Sequence, residues 1–382
     1  MWGGPQVTQR SKDSWTLSAI TFVIFAAALG TLVSRYVGLL ADRVENNFGY
    51  LPDPEGTAEF LSELDQPRFA QAGKECMDNV VKEDTFLYRY ADEAHRAVYG
   101  KPFTAWDQGS AGTCVSFGWG VGSYIGQAVS WKQGELPAPP KLVATEPIYG
   151  GSRTLARLPP VTFAGYSDGS YGAAAARWVA GRCRDKEVGG ILYREVIGKY
   201  DLTRYSIDRS REWGANGPPR EIAIAAADHR ALAVAQVSTW DELVAAITSG
   251  YCVPICSDVG FAATKTRDKF GALPRGGQWS HCMCCISIRF AANHKDGTPD
   301  GVLILNSWNT NWVNGPKWPG DQPDGSFWCS RADIEAILRQ GDSFAIGSVS
   351  GFPWRKLEHR EWMSPSPQAS SRESTINHAL AL

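Results

Sequence analysis

Net charge is the first thing this sequence has little of. Its 38 basic and 40 acidic residues nearly cancel, leaving −2 over 382 residues. Without a basic excess there is no electrostatic footprint for a nucleic-acid partner. No internal repeat is present, so no repeat architecture is implied. Histidine is scarce, with six in all. His95, His229, His294, His359 and His378 stand in no motif and are expected at the surface. Metal-ligand spacing is missing as well. The densest cysteine cluster, Cys282, Cys284 and Cys285, is Cys-x-Cys-Cys, and on a strand neighbouring side chains face opposite ways. Buried, reduced cysteines are expected there, with no metal and no other cofactor.

Apolar residues make up 43% of the chain, with 15 tryptophans and 39 glycines. That suits an aromatic-packed, loop-rich globule with one large or two modest cores. The stretch from Trp15 to Ser34 is apolar and lacks charge. Twenty helical residues span roughly 30 Å, the thickness of a bilayer core. Apolar character resumes in Tyr36–Ala41, so residues 15–41 read as a transmembrane anchor behind a polar tail at 1–14. A cleaved signal segment ending near Ala26–Ala28 is the alternative. Arg10 and Lys12 on one side balance Arg35 and Arg43 on the other, which leaves the orientation open. Residues 42–95 read as a stalk, 96–361 as the main domain and 362–382 as a polar, disordered tail.

The chain is organised around Gln108-Gly-Ser-Ala-Gly-Thr-Cys114, a glycine-broken loop that runs into an apolar segment reaching about Val129. A loop-to-helix switch at Cys114 puts its sulfur beside unpaired N–H groups and the positive end of a helix, both of which favour the thiolate. Gln108 can fold back so that its amide N–H, with the Cys114 backbone N–H, makes a two-donor oxyanion hole. A thiol nucleophile also needs a base and a group to orient that base. His281, in Gln-Trp-Ser-His-Cys, and Asn306, in Leu-Asn-Ser-Trp308-Asn-Thr-Asn-Trp312, supply both.

These segments resemble the papain-like cysteine proteases, whose pattern is Gln-Gly-Ser-Cys-Gly-Ser-Cys-Trp, then a histidine, then Asn-Ser-Trp-Gly-Thr-x-Trp. His281 follows Cys114 by 167 residues, beyond the usual separation of about 130–150, so insertions are expected. Ser167-Asp-Gly-Ser-Tyr-Gly-Ala173 resembles the family's Cys-Asn-Gly-Gly-Tyr-Pro segment, and Ser249–Asp258 resembles its Gly-Pro-Val-Ser-Val strand. The resemblance spans roughly residues 100–350. The cysteine pair that the family bridges is Ala111 and Ser167 here, so nothing argues for an oxidising compartment. The interspersed helix pattern of the family's inhibitory pro-segment is not found in 42–95.

The resemblance implies an α+β, papain-like two-lobed fold. A helical lobe would carry the nucleophile helix, and an antiparallel β-barrel lobe would carry the histidine and asparagine. It implies a cysteine endopeptidase acting on peptides or proteins, which the segment 15–41 would anchor to a membrane, with Cys114 as nucleophile, His281 as base, Asn306 as its orienting group and Gln108 in the oxyanion hole. Trp308 would shield the His281–Asn306 bond. Gly169, Ser170, Tyr171 and Cys282 would line the substrate groove, with Ser170 adding a side chain beside the substrate backbone. Small, uncharged residues (Gly172, Ala173, Ser280, Cys282) around the Tyr171 ring give an expected pocket for Leu, Val or Phe two residues before the cut bond. A non-proteolytic structural or adhesive module on the same scaffold is the alternative, and acyl transfer by the same triad stays open.

Overall fold

Glycines at 118 and 122 decide how close the helix bearing Cys114 lies to its neighbours. The helix runs Cys114–Lys132 and is buried from Cys114 to Ser130. A methyl group on Gly118 would sit 2.9 Å from Cys282 Sγ, and one on Gly122 would sit 3.2 Å from Pro254 Cγ. Larger residues would push the sheet away from the helix. Each helical glycine costs about 1 kcal/mol relative to alanine, and the close packing on both faces offsets it.

The computed structural model describes residues 48–155 and 168–357. The expected tail at 1–14, anchor at 15–41 and C-terminal tail at 362–382 lie outside the described residues. Among the described residues no helix is long and apolar enough to cross a membrane.

The strands are β1 (Thr85–Phe86), β2 (Val143–Ala144), β3 (Leu192–Tyr193), β4 (Val196–Ile197), β5 (Tyr200–Asp201), β6 (Ala233–Gln236), β7 (Val253–Phe261), β8 (Arg275–Arg289), β9 (Gly301–Leu305), β10 (Ser326–Ser330) and β11 (Asp342–Gly347). Seven form one sheet in the order β10-β9-β8-β7-β11-β6, with β1 paired to β8, and every strand pair in it is antiparallel. The other four form two-stranded pairs, β2 with β3 and β4 with β5. The fold is thus α+β, with a helical half bearing Cys114 and a sheet half bearing His281 and Asn306. Cys256 on β7 pairs with Cys282 on β8 and with Asp342 on β11. Cross-strand partners share a face, so these three stand in one row.

Local expectations hold where the chemistry is local. Thr239 caps Trp240–Thr248 with reciprocal bonds to Glu242, and Gly250 ends the turn at φ +89°. The sequence from Ala173 to Ala180 reads as a helix after the Gly169 turn, and the helix runs Gly172–Val179.

Three expectations are corrected. Residues 48–95 are not a stalk. They belong to the same compact unit as the rest, with Phe60, Phe69, Cys76 and Phe86 buried in the core, because their short helices each carry apolar residues to bury. Residues 181–220 are charged and read from the sequence as an irregular surface excursion, yet they contain a helix, Ile207–Asn216, capped by Ser206. It is pinned by Arg194 and Arg209, each 2.7 Å from the buried carboxylate of Glu146. His95 is buried rather than exposed, where its ring nitrogen bonds Lys101 O at 2.8 Å.

Candidate active site

Cys114 is the first residue of its helix. The loop before it is tied down on several sides. Gly112 N donates to Asp168 at 2.8 Å, Gln108 N to Ser307 O at 2.8 Å, and Asn309 N to Trp106 O at 3.1 Å. The loop bearing the cysteine and the loop bearing the asparagine are thereby joined. The Cys114 sulfur lies within reach of the backbone N–H groups of Cys282, Gly49 and Val115. It is completely buried, and burial pushes its thiol well above the usual range despite those donors. The expected neutral-pH thiolate is not what this state holds. A helix terminus contributes up to about 2 kcal/mol, and here the loss of water outweighs it.

His281 faces Asn306, with Nε2 to Oδ1 at 2.7 Å. Ser307 N donates to the same Oδ1, also at 2.7 Å. A backbone N–H only donates, so the Asn306 atom it meets is the oxygen, and His281 Nε2 must carry the proton. Burial lowers the His281 pKa to about 4, with the Asn306 bond opposing. The imidazole is therefore neutral at pH 7, with its lone pair on Nδ1. That atom is buried without a hydrogen-bond partner among the described residues. Trp308 lies over the ring at 4.6 Å between centroids, and Trp279 stacks behind Trp308 at 4.9 Å.

What excludes water is the chain itself. Phe48 packs on His281 at 5.9 Å and on Trp308 at 5.6 Å. Gly49 crosses the nucleophile loop so closely that a methyl group there would sit 1.9 Å from Gly112 O. Ser170 N donates to Gly49 O, Leu51 N donates to Ser170 O, each at 2.8 Å, and Tyr50 N donates to Ser280 O at 2.9 Å. Phe48–Leu51 thus lies as an extended strand in the groove, with Tyr50 paired in parallel to Ser170.

The expected groove residues divide. Gly169, at φ +134°, has Gly49 O only 2.6 Å from where a methyl group would stand, so a glycine is needed there. Arg153 holds the Gly169 carbonyl at 2.5 Å. Ser170 meets the covering strand with its backbone, while its hydroxyl turns away to Ser152 Oγ at 2.7 Å. The expected intrusion of that side chain is corrected. Tyr171 directs its hydroxyl to Gly56 in the helix Pro54–Ser62. Cys282 is buried in the row with Cys256 and Asp342. Gln108 is buried, its Nε2 donating to Ala111 O at 2.8 Å and its Oε1 accepting from Ser307 Oγ at 2.6 Å. All nine cysteines are buried, unbridged thiols.

Sequence reasoning missed Asp342 and the strand Phe48–Leu51. Asp342 opens β11 and accepts from Gly172 N at 2.7 Å and Ala173 N at 2.8 Å. Nothing around it forms a motif. Phe48-Gly-Tyr-Leu51 does carry a signal, a glycine between two aromatics directly ahead of a proline-rich turn.

No protein-family model and no curated protein sequence matches the chain. Solved structures do. Xylellain, a cysteine protease from Xylella fastidiosa, is 16% identical over 79% of this chain and 96% of its own, with a TM-score of 0.46. Digestive procathepsin L 3 of Tenebrio molitor is 12% identical over 82% and 88%, at 0.41. The bromelain protease from Ananas comosus is 12% identical over 70% and 99%, at 0.39. The chemistry of this chain has to be read from its own residues.

Proposed function

We propose that the chain is a cysteine peptidase whose site is covered by its own residues Phe48–Leu51. The observation that supports this most is the state of His281. Its Nε2–H is fixed on an oxygen that a backbone donor identifies, its Nδ1 carries an unpartnered lone pair, and the next residue in the chain, Cys282, turns its backbone N–H to the Cys114 sulfur. A buried unpaired nitrogen costs about 1–3 kcal/mol, and an acceptor for a thiol proton is a reason to keep one.

With the groove open, the Cys114 proton passes to His281 Nδ1 and the thiolate attacks the scissile carbonyl carbon. The carbonyl π electrons move onto oxygen, where the Cys114 N–H and the Gln108 amide hold the negative charge. Collapse breaks the C–N bond, and the leaving amine takes the proton from His281. Water, deprotonated by His281, then attacks the thioester and releases the acid and the thiol. Asn306 keeps the imidazole in the tautomer this requires. Trp308 keeps water from the His281–Asn306 bond. The substrate backbone pairs with Gly169 and Ser170, where Gly49 and Leu51 now lie. The largely apolar segment at 15–41 would hold the enzyme on a membrane as a single-pass protein.

The test is hydrolysis of a fluorogenic peptide mixture by the full chain carrying Gly49→Val, which cannot pass Gly112. Cys114→Ala in that background should lower the rate by about 10⁴ or more. Unchanged hydrolysis, or none in either protein, would contradict the reading.

A further inference from the structure

The loop that carries the oxyanion donors is gripped by a segment that takes no part in the proton transfers. Gln108 to Thr113 contains two glycines, and Gly109 sits at φ +60°. No disulfide closes the loop, since all nine cysteines are free thiols. Glycines open many conformations to such a loop, so contacts from outside must select one. Residues 205–211 supply them in chain order. Tyr205 donates its hydroxyl proton to Gln108 O at 3.1 Å. Ile207 Cδ1 stands 2.6 Å from where a methyl group on Gly109 would be. Arg211 Nη2 donates to Ser110 O at 3.1 Å.

Tyr205 does the most, because its one oxygen reaches both ends of the loop. Thr113 Oγ1 lies 3.0 Å from it. The single phenol proton goes to Gln108 O, which can only accept, so the Thr113 hydroxyl donates to the phenol oxygen. Thr113 is the N-cap residue directly before Cys114. One oxygen therefore links the residue that offers the side-chain donor to the residue that precedes the backbone donor. Ala111 and Ser307 hold the Gln108 side chain, and Tyr205 holds the backbone from which it extends. The phenol is itself anchored. Its ring meets Phe117, on the helix bearing Cys114, edge to face at 4.9 Å, and the Arg194 guanidinium lies 5.8 Å over it. Ser206 N donates to the buried Glu146 at 3.1 Å, the carboxylate that also holds Arg194 and Arg209.

Resting on the peptidase reading above, we propose that Tyr205 is a positioning residue of the oxyanion hole, which keeps the Gln108 amide and the Cys114 N–H at the spacing the tetrahedral intermediate needs. It touches no reacting atom. Without its hydroxyl the glycine loop relaxes, and a displacement of about 1 Å at a reacting group can cost on the order of 10²-fold in rate. The oxygen becomes charged only after the thiolate has attacked. Lost spacing therefore lowers kcat and leaves KM nearly unchanged.

Tyr205→Phe keeps the ring and removes only the hydroxyl. In the full chain carrying Gly49→Val, it should lower kcat for a fluorogenic peptide by about tenfold or more, with KM within about twofold. A peptide aldehyde, whose adduct with Cys114 places its oxygen in the same hole, should bind more weakly by a similar factor. Haloacetamide labelling of Cys114 needs no oxyanion, because the C–S bond forms as halide leaves, and its rate should stay the same. A merely structural Tyr205 would slow labelling together with hydrolysis. That result, or an unchanged kcat, overturns the proposal while the peptidase reading stands. No hydrolysis by the Gly49→Val parent overturns that reading and the proposal with it. A second measurement needs no catalysis. In the otherwise native chain, Tyr205→Phe should speed hydrogen exchange at the Thr113 amide, which bonds Ala111 O inside the loop, by about tenfold. Unchanged exchange overturns the proposal whatever the peptides show.

Discussion

The two ends of the groove treat buried polar atoms in opposite ways. Around His281, the imidazole Nδ1, the Asn306 amide nitrogen and the Trp308 indole nitrogen are all buried without partners among the described residues. Around Asp342, the buried carboxylate is met by two backbone donors at the start of the helix Gly172–Val179. The first end withholds partners and so keeps a base ready. The second end is satisfied from within the fold, by the first amides of a helix. The covered site thus holds unmet polar groups at one end and a partnered carboxylate at the other.

The comparison breaks most visibly at Asn306. Asn306→Ala frees the imidazole to turn and to hold its proton on Nδ1, where it cannot accept the thiol's. Peptide hydrolysis by the uncovered Gly49→Val protein should fall by about 10²-fold or more, with the folded protein retained by circular dichroism. A loss of less than threefold would mean the His281–Asn306 bond is only structural.

Acid titration sharpens the contrast. The His281 pKa is lowered from 6.5 to about 4, so the unfolded chain binds the extra proton and stability rises with pH between about 4 and 6.5. Asp342 is raised from 3.8 to about 6, so the folded chain binds the extra proton and its contribution falls as pH rises through that window. The two slopes oppose each other. Asp342→Asn should leave the His281 slope exposed, adding about 2 kcal/mol to the gain in stability between pH 4 and 6. Denaturant melts at the two pH values check this, and an unchanged difference between native and variant would show that Asp342 does not titrate there.

A smaller effect is expected from opening the groove. Burial under Phe48–Leu51 raises the Cys114 thiol, so haloacetamide labelling of the native chain should be slow at pH 7 and climb with pH. Gly49→Val should speed it by about tenfold at pH 7 and flatten the climb. Equal rates would mean that the strand does not control access to the sulfur.

Much of the reactive end was legible in the sequence, because its residues sit in short contiguous patterns. The Cys114 loop, His281 and the Asn306–Trp308 turn each carry their own glycines and aromatics. The Asp342 end was not legible. Asp342 reaches the groove only because β11 pairs with β7 and β7 with β8, a register that no local pattern displays. Phe48–Leu51 escaped for a related reason. A pro-segment was sought as a helical pattern, whereas four extended residues with one glycine suffice to fill the groove. The thiolate expectation failed because it weighed the helix end, which is local, and not the burial imposed by a strand some sixty residues earlier.

The central claim is that Cys114 and His281 form one proton-sharing pair once the groove is open. The pH–rate profile of haloacetamide labelling at Cys114, in the full chain carrying Gly49→Val, tests it most directly. The account predicts labelling that persists well below the ordinary thiol pKa of about 8.5, and that reverts to a single ordinary thiol titration when His281→Gln is added. A profile that follows an ordinary thiol with His281 present, and does not change on its removal, would contradict it.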